Sequence, residues 1–194
     1  MEYKFGYVGI IGRPNAGKST LVNHFVGEKV SIISPKPQTT RNNILGILNS
    51  EFEQIVFVDT PGIHLAKNGL DKFMMKNIRS AQDNVNCIVY VMDGLKPFSS
   101  NEMAYINDLC EKEIPIIVAV NKIDKTKFEK LYPELAKLND LKKILDIVPI
   151  SALNGENSDV LLEKIRNTLT VVGGKDEFDL PLDEYTDKST LFML

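Results

Sequence analysis

Tryptophan is absent from this sequence of 194 residues, and histidine and cysteine occur only twice each. The two thiols, Cys87 and Cys110, have no metal-ligand spacing, and each lies in or beside an apolar run. That excludes a zinc ribbon or a disulfide framework and points to buried free thiols in a reducing compartment. The longest apolar runs are of strand length, so none is expected to span a bilayer. No stretch near Met1 has the layout of a secretory leader, since Lys4 is followed at once by a short strand and a glycine loop. Neither sign of charge dominates. Lys and Arg number 23 against 26 Asp and Glu, a net charge of −3, which leaves no chain-wide footprint for a nucleic acid or a membrane.

What is present is the composition of a soluble globular protein, 43% hydrophobic and 25% charged, in a length that suits one α/β domain and not two. The charge is uneven along it. Residues 1–48 carry six basic side chains (Lys4, Arg13, Lys18, Lys29, Lys36, Arg41) against two acidic ones, Glu2 and Glu28. This suits a polyphosphate ligand, and equally a solvated surface. Residues 173–194 carry two basic side chains against six acidic ones.

Apolar runs at Tyr7–Ile11, Ile44–Leu48, Ile55–Val58, Cys87–Met92, Ile114–Val120 and Ile144–Ile150 read as six strands. Several are continuous rather than alternating, the pattern of strands buried on both faces. Between them, helical spacing runs over Lys18–Val26, Leu70–Val85, Ser99–Lys112, Lys125–Lys142 and Asn157–Leu169. The alternation predicts a three-layer α/β fold with a mainly parallel six-stranded sheet and helices on both faces. Glu28–Asn43 breaks the rhythm with two prolines and two adjacent threonines and reads as a long surface loop.

Gly12-Arg13-Pro14-Asn15-Ala16-Gly17-Lys18-Ser19 fits the pattern G-x-x-x-x-G-K-[ST] and stands between a strand and a helix, the context this motif requires. Its glycines let successive N–H groups curl inward around α- and β-phosphates, and the helix opening at Lys18, Ser19 and Thr20 adds its positive end. Lys18 is expected to bridge the β- and γ-phosphates, and the Ser19 hydroxyl to ligate Mg²⁺. Asp59-Thr60-Pro61-Gly62 follows the third strand. Asp59 is expected to hold the magnesium-bound water and Gly62 to offer its N–H to the γ-phosphate, at the strand end where open α/β sheets bind ligands. In the irregular loop, Thr40, with Thr39 the alternative, is expected to reach the metal and the γ-phosphate, so that the loop senses GTP against GDP.

Asn121-Lys122-Ile123-Asp124 ends the fifth run. The Asp124 carboxylate can accept from guanine N1–H and N2–H, which adenine does not offer in that arrangement. Asn121 can brace the loop, and the Lys122 stem can lie over the base. Ser151-Ala152-Leu153-Asn154-Gly155 follows the sixth run, where the Ala152 N–H can reach guanine O6.

These five elements, in this order and spacing, resemble the translational GTPase superclass of P-loop proteins and, within it, the Era-like family. Ser34–Arg41 running into Ile44–Ile47 is the most family-like piece. The resemblance implies a Ras-like G domain over residues 1–172 and a cytoplasmic, monomeric protein that binds GTP or GDP. It also implies partners in 16S rRNA and the 30S subunit, and peripheral membrane association in some members, although no amphipathic anchor is evident. Residues 173–194 are expected to be a linker entering a C-terminal KH RNA-binding domain. The position after the D-x-x-G glycine, glutamine in Ras-like enzymes, holds Ile63, which implies slow GTP hydrolysis. In some relatives the asparagine equivalent to Asn15 holds K⁺, so K⁺ stimulation is expected here. Lys18, Thr40, Gly62 and Asn15 are thus the catalytic candidates, and His64 is expected to be a solvated loop residue. Two other readings stay open. One is an interaction switch with negligible catalysis, and the other is a G domain of a tRNA-modification or tandem-domain ribosome GTPase.

Overall fold

The structure is a computed structural model that describes residues 3–27, 43–59, 85–111, 114–138, 141 and 143–172. Among these, seven strands form one sheet: β1 (Tyr3–Gly12), β2 (Asn43–Asn49), β3 (Glu53–Asp59), β4 (Cys87–Asp93), β5 (Ile116–Asn121), β6 (Ile144–Pro149) and β7 (Thr170–Val172). Four helices accompany them: α1 (Lys18–Val26), α2 (Ser100–Glu111), α3 (Phe128–Ala136) and α4 (Ser158–Arg166). The strand order is β2-β3-β1-β4-β5-β6. The β1–β3, β1–β4, β4–β5 and β5–β6 pairs are parallel, while β2 runs antiparallel to β3. Pairing such as Gly12 with Val91, Asp93 with Asn121 and Val120 with Pro149 brings the carboxyl ends of β1, β4, β5 and β6 to one rim.

Continuous apolar runs form the central strands because both sheet faces are covered. Every residue of β4 and of β5 is buried. On one face, Cys87, Val89 and Val91 pack with Leu21, Val22 and Phe25 of α1 and Leu161 and Ile165 of α4. On the other, Ile88, Tyr90 and Met92 pack with Ile106 and Leu109 of α2 and Leu131 of α3. Successive residues of one strand thus feed opposite cores, the period-two geometry of a strand sandwiched between helices. Both cysteines are free. Burial pushes the Cys87 thiol up to about 11 against a weaker opposing bond with Thr168, and it raises the half-buried Cys110 as well.

The six strands and the layers expected from sequence are present, with two differences. A seventh strand, β7, pairs antiparallel with Tyr3–Phe5. The helix expected over Lys125–Lys142 is shorter. A 3₁₀ turn occupies Ile123–Lys125, and α3 then spans Phe128–Ala136 with Pro133 inside it. Pro133 has no N–H for the helical ladder, which weakens this element from within. The helix expected at Leu70–Val85 lies outside the described residues apart from Val85, which precedes β4.

Candidate functional site

Glycine is required where the phosphate loop leaves β1 and where it enters α1. Gly12 has φ +155°, and a Cβ there would lie 2.3 Å from the Val91 carbonyl oxygen. Gly17 has φ +101°, and a Cβ would lie 2.2 Å from Asn121 Nδ2. Between them, Asn15 takes the left-handed region at φ 63°, which asparagine tolerates. The Ala16 N–H closes a turn on the Arg13 carbonyl at 3.2 Å. The Lys18 ammonium donates to the carbonyls of Gly12 at 2.9 Å and Arg13 at 3.1 Å, which sets the cation at the mouth of the loop.

The base-side loops are bonded directly to this one. Asn121, buried at the end of β5, donates from Nδ2 to the Ala16 carbonyl at 2.7 Å. Its Oδ1 accepts from the Ala152 N–H at 2.9 Å and the Lys122 N–H at 2.8 Å. One amide therefore ties together the loops after β1, β5 and β6. The Ala152 N–H expected to face guanine O6 is engaged by Asn121, so an O6 acceptor placed there shares its donor. Lys122 has φ 71°, a costly conformation for its type. Its Nζ donates to the Asn15 carbonyl at 2.8 Å and to Asp93 Oδ2 at 2.9 Å, which hold it there. Asp124 is exposed and accepts from Ser151 Oγ at 2.8 Å, and a carboxylate keeps further acceptor sites for a ligand. The crevice between these loops has a volume of about 400 Å³ and is lined by Asn15, Lys18, Ser19, Thr20, Asp124 and Leu153, among others.

Of the remaining expected residues, Asp59 closes β3 with its backbone opposite Ile10 of β1. Thr39, Thr40, Thr60, Pro61, Gly62, Ile63 and His64 lie outside the described residues. Pro14 is exposed on the phosphate loop. Among the described residues, no group of three or more His, Cys, Asp or Glu side chains is placed to hold a metal alone, and no helix is long and apolar enough to cross a membrane.

Two residues escaped the sequence reading. Asp93 ends β4 on the same rim as Asn121 and is buried. Burial alone would push its carboxyl up. The hydrogen bonds from Lys122 and the Leu95 N–H, with the charges of Lys122 and Lys96, outweigh it and hold the carboxyl below the usual range. Glu102, buried in the first turn of α2, pairs with Arg13 of the phosphate loop. The available signals were an acidic residue at the end of a buried strand and the capping pattern Ser99-x-x-Glu102.

A glycine-rich loop after β1, bonded to an N-K-x-D loop after β5 of a mainly parallel sheet, defines the P-loop GTPase class of α/β proteins. Residues 7–122 match the family described as 50S ribosome-binding GTPase, and the chain belongs to that family. It is 48% identical over 168 residues to the GTPase Era of Clostridioides difficile (strain 630), across 86% of this chain and 57% of that protein. A solved structure of a point variant of Aquifex aeolicus Era bound to GDP·AlF4⁻ matches with a TM-score of 0.69 and 39% identity, covering 86% of this chain and 57% of that one. A structure of Era in complex with MgGDPNP and nucleotides 1506–1542 of 16S ribosomal RNA matches with the same TM-score and identity, over 87% and 58%. The chain therefore spans a little over half the length of the relatives it matches.

Proposed function

We propose that this chain binds GTP with Mg²⁺ and hydrolyses it to GDP and phosphate, as the G domain of an Era-like factor in 30S subunit assembly and 16S rRNA processing. The observation that carries the reading is the direct bonding of the guanine-side loop to the phosphate-side loop, through Asn121 to Ala16 and Lys122 to Asn15. Loops joined in this way fix the distance between a base and its phosphates. The phosphate-loop N–H groups and the start of α1 cradle the α- and β-phosphates, and Lys18 reaches the β- and γ-phosphates. Asp124 takes the two guanine donors. Adenine would leave that carboxylate short of partners, at a cost of roughly 1–3 kcal/mol.

The donor chemistry at the crevice suits magnesium. The Ser19 hydroxyl lines it, Asp59 ends the neighbouring strand, and both are the hard oxygen donors this ion takes. Thr40, or Thr39, would complete the proposed set, and a bound ion would supply charge neutralisation to the phosphates. Ile63 cannot orient a water, so turnover is slow, and Asn15 is the proposed K⁺ contact. Residues 1–172 form the G domain in this reading. Residues 173–194 are a linker into a KH domain that carries most of the rRNA contact, and membrane association, where present, is peripheral.

A single-turnover phosphate-release assay with Mg²⁺ tests the proposal. We expect slow release from GTP, none from ATP, and a faster rate in K⁺ than in Na⁺ at matched ionic strength, while Lys18→Ala abolishes nucleotide binding. Tight GTP binding without phosphate release would instead establish the nucleotide-set switch.

A further inference from the structure

Arg13 belongs to the phosphate loop, yet its guanidinium points away from the crevice. It donates from Nη2 to the Pro97 carbonyl at 3.1 Å and to Glu102 Oε2. Glu102 is buried, and its carboxylate sits among groups that donate to it. Oε2 also accepts from the Ser99 N–H at 2.8 Å and Ser99 Oγ at 2.9 Å, and Oε1 accepts from the Tyr90 hydroxyl at 2.6 Å. Four groups thus converge on its two oxygens, with the Arg13 guanidinium and the Ser99 N–H able only to donate. The Arg13 backbone carbonyl, in turn, accepts from Lys18 Nζ and from the Ala16 N–H. A continuous chain of bonds therefore runs from the core of α2 through Arg13 to the lysine of the phosphate loop. The loop is braced twice, by the base-side residues at Asn15 and Ala16 and by Glu102 at Arg13.

We propose that Glu102 is a positioning residue for nucleotide binding, acting through Arg13 to fix the carbonyls that hold Lys18. This rests on the reading of the crevice as a guanine-nucleotide site. Gln in its place removes the negative charge that pairs with the guanidinium and releases Arg13. The turn that orients the loop N–H groups then loosens, and bound diphosphate leaves faster. Guanine selectivity stays, because Asp124 and Asn121 are untouched.

The test is a double-mutant cycle on the rate of GDP dissociation, with wild type, Arg13→Ala, Glu102→Gln and the double variant. Loss of a charge-assisted bond predicts dissociation about tenfold faster in each single variant, with the double variant no faster than Arg13→Ala. The ratio of GDP to IDP affinity should hold in all four. Arg13→Lys should recover part of the loss, and Tyr90→Phe, which removes the other partner of the carboxylate, should dissociate GDP at the wild-type rate. Additive effects in the double variant overturn the proposal. So does a wild-type rate in Arg13→Ala, whose side chain is partly exposed and whose replacement leaves the core intact, or a Tyr90→Phe variant that matches Glu102→Gln. Failure of the wild-type chain to bind GDP would instead remove the underlying reading of the crevice.

Discussion

Asp124 lines the crevice and Asp93 lies buried beside it at the end of β4, with different work. Asp124 is exposed and bonded to Ser151, so its remaining acceptors are open to the proposed guanine base. Asp124→Asn replaces one acceptor by a donor and should shift preference from guanosine to xanthosine nucleotides, read as competitive displacement of labelled GDP. Asp93 is buried and holds Lys122, with its carboxyl kept below the ordinary value of 3.8. A carboxyl lowered by folding contributes stability above its unfolded value and loses it as the pH falls through the folded one. Asp93→Asn should therefore melt below wild type at pH 7, by about 1–3 kcal/mol for a lost charge-assisted bond. The two melting curves should converge as the pH falls below 3.8. A constant gap across that range would show that the pair carries no charge-dependent stability. The motif residues stand out in the sequence because a glycine loop and polar residues follow directly on the apolar runs of β1, β3, β5 and β6. Asp93 and Glu102 do not, because their partners lie 29 and 89 positions away, and only folding brings them together.

Local sequence sets some helix bounds directly. Ahead of α2, Ser99 Oγ accepts from the Glu102 N–H at 3.3 Å while Glu102 accepts from the Ser99 N–H at 2.8 Å, a reciprocal cap readable four letters at a time. Ser99→Ala should cost about 1 kcal/mol, a fall of roughly 2–4 °C in the melting temperature for a chain of this size, read by calorimetry. The bounds of α1, Lys18–Val26, follow from the glycines that flank it. The helix expected over Lys125–Lys142 is shorter at both ends: a 3₁₀ turn precedes it, and it closes at Ala136, three residues after Pro133, a helix breaker visible in the sequence. β7 was missed for a different reason. Three residues, two of them exposed, make no apolar run, and their partner Tyr3–Phe5 lies at the far end of the sequence.

At the scale of the whole molecule, the layers were legible from the alternation of buried runs and helical spacing, but strand order was not, since spacing says nothing of which neighbour a strand chooses. The net charge of −3 sets an expectation for the proposed ribosomal partner. This chain should bind GDP yet give no anisotropy change with a labelled oligonucleotide of the 16S rRNA 3′ end at micromolar protein and 0.15 M salt, because phosphate binding needs a basic surface. Saturable binding there would place an RNA contact within the G domain. β1 joins the two rims of the molecule. Its last residue opens the phosphate loop, and its first three pair with β7, Tyr3 opposite Val172. Because that pairing is antiparallel, tension between Tyr3 and Val172 loads its hydrogen bonds one after another rather than together. The short ribbon therefore unzips at low force, a mechanical fuse that yields before strain travels along β1 to the phosphate loop.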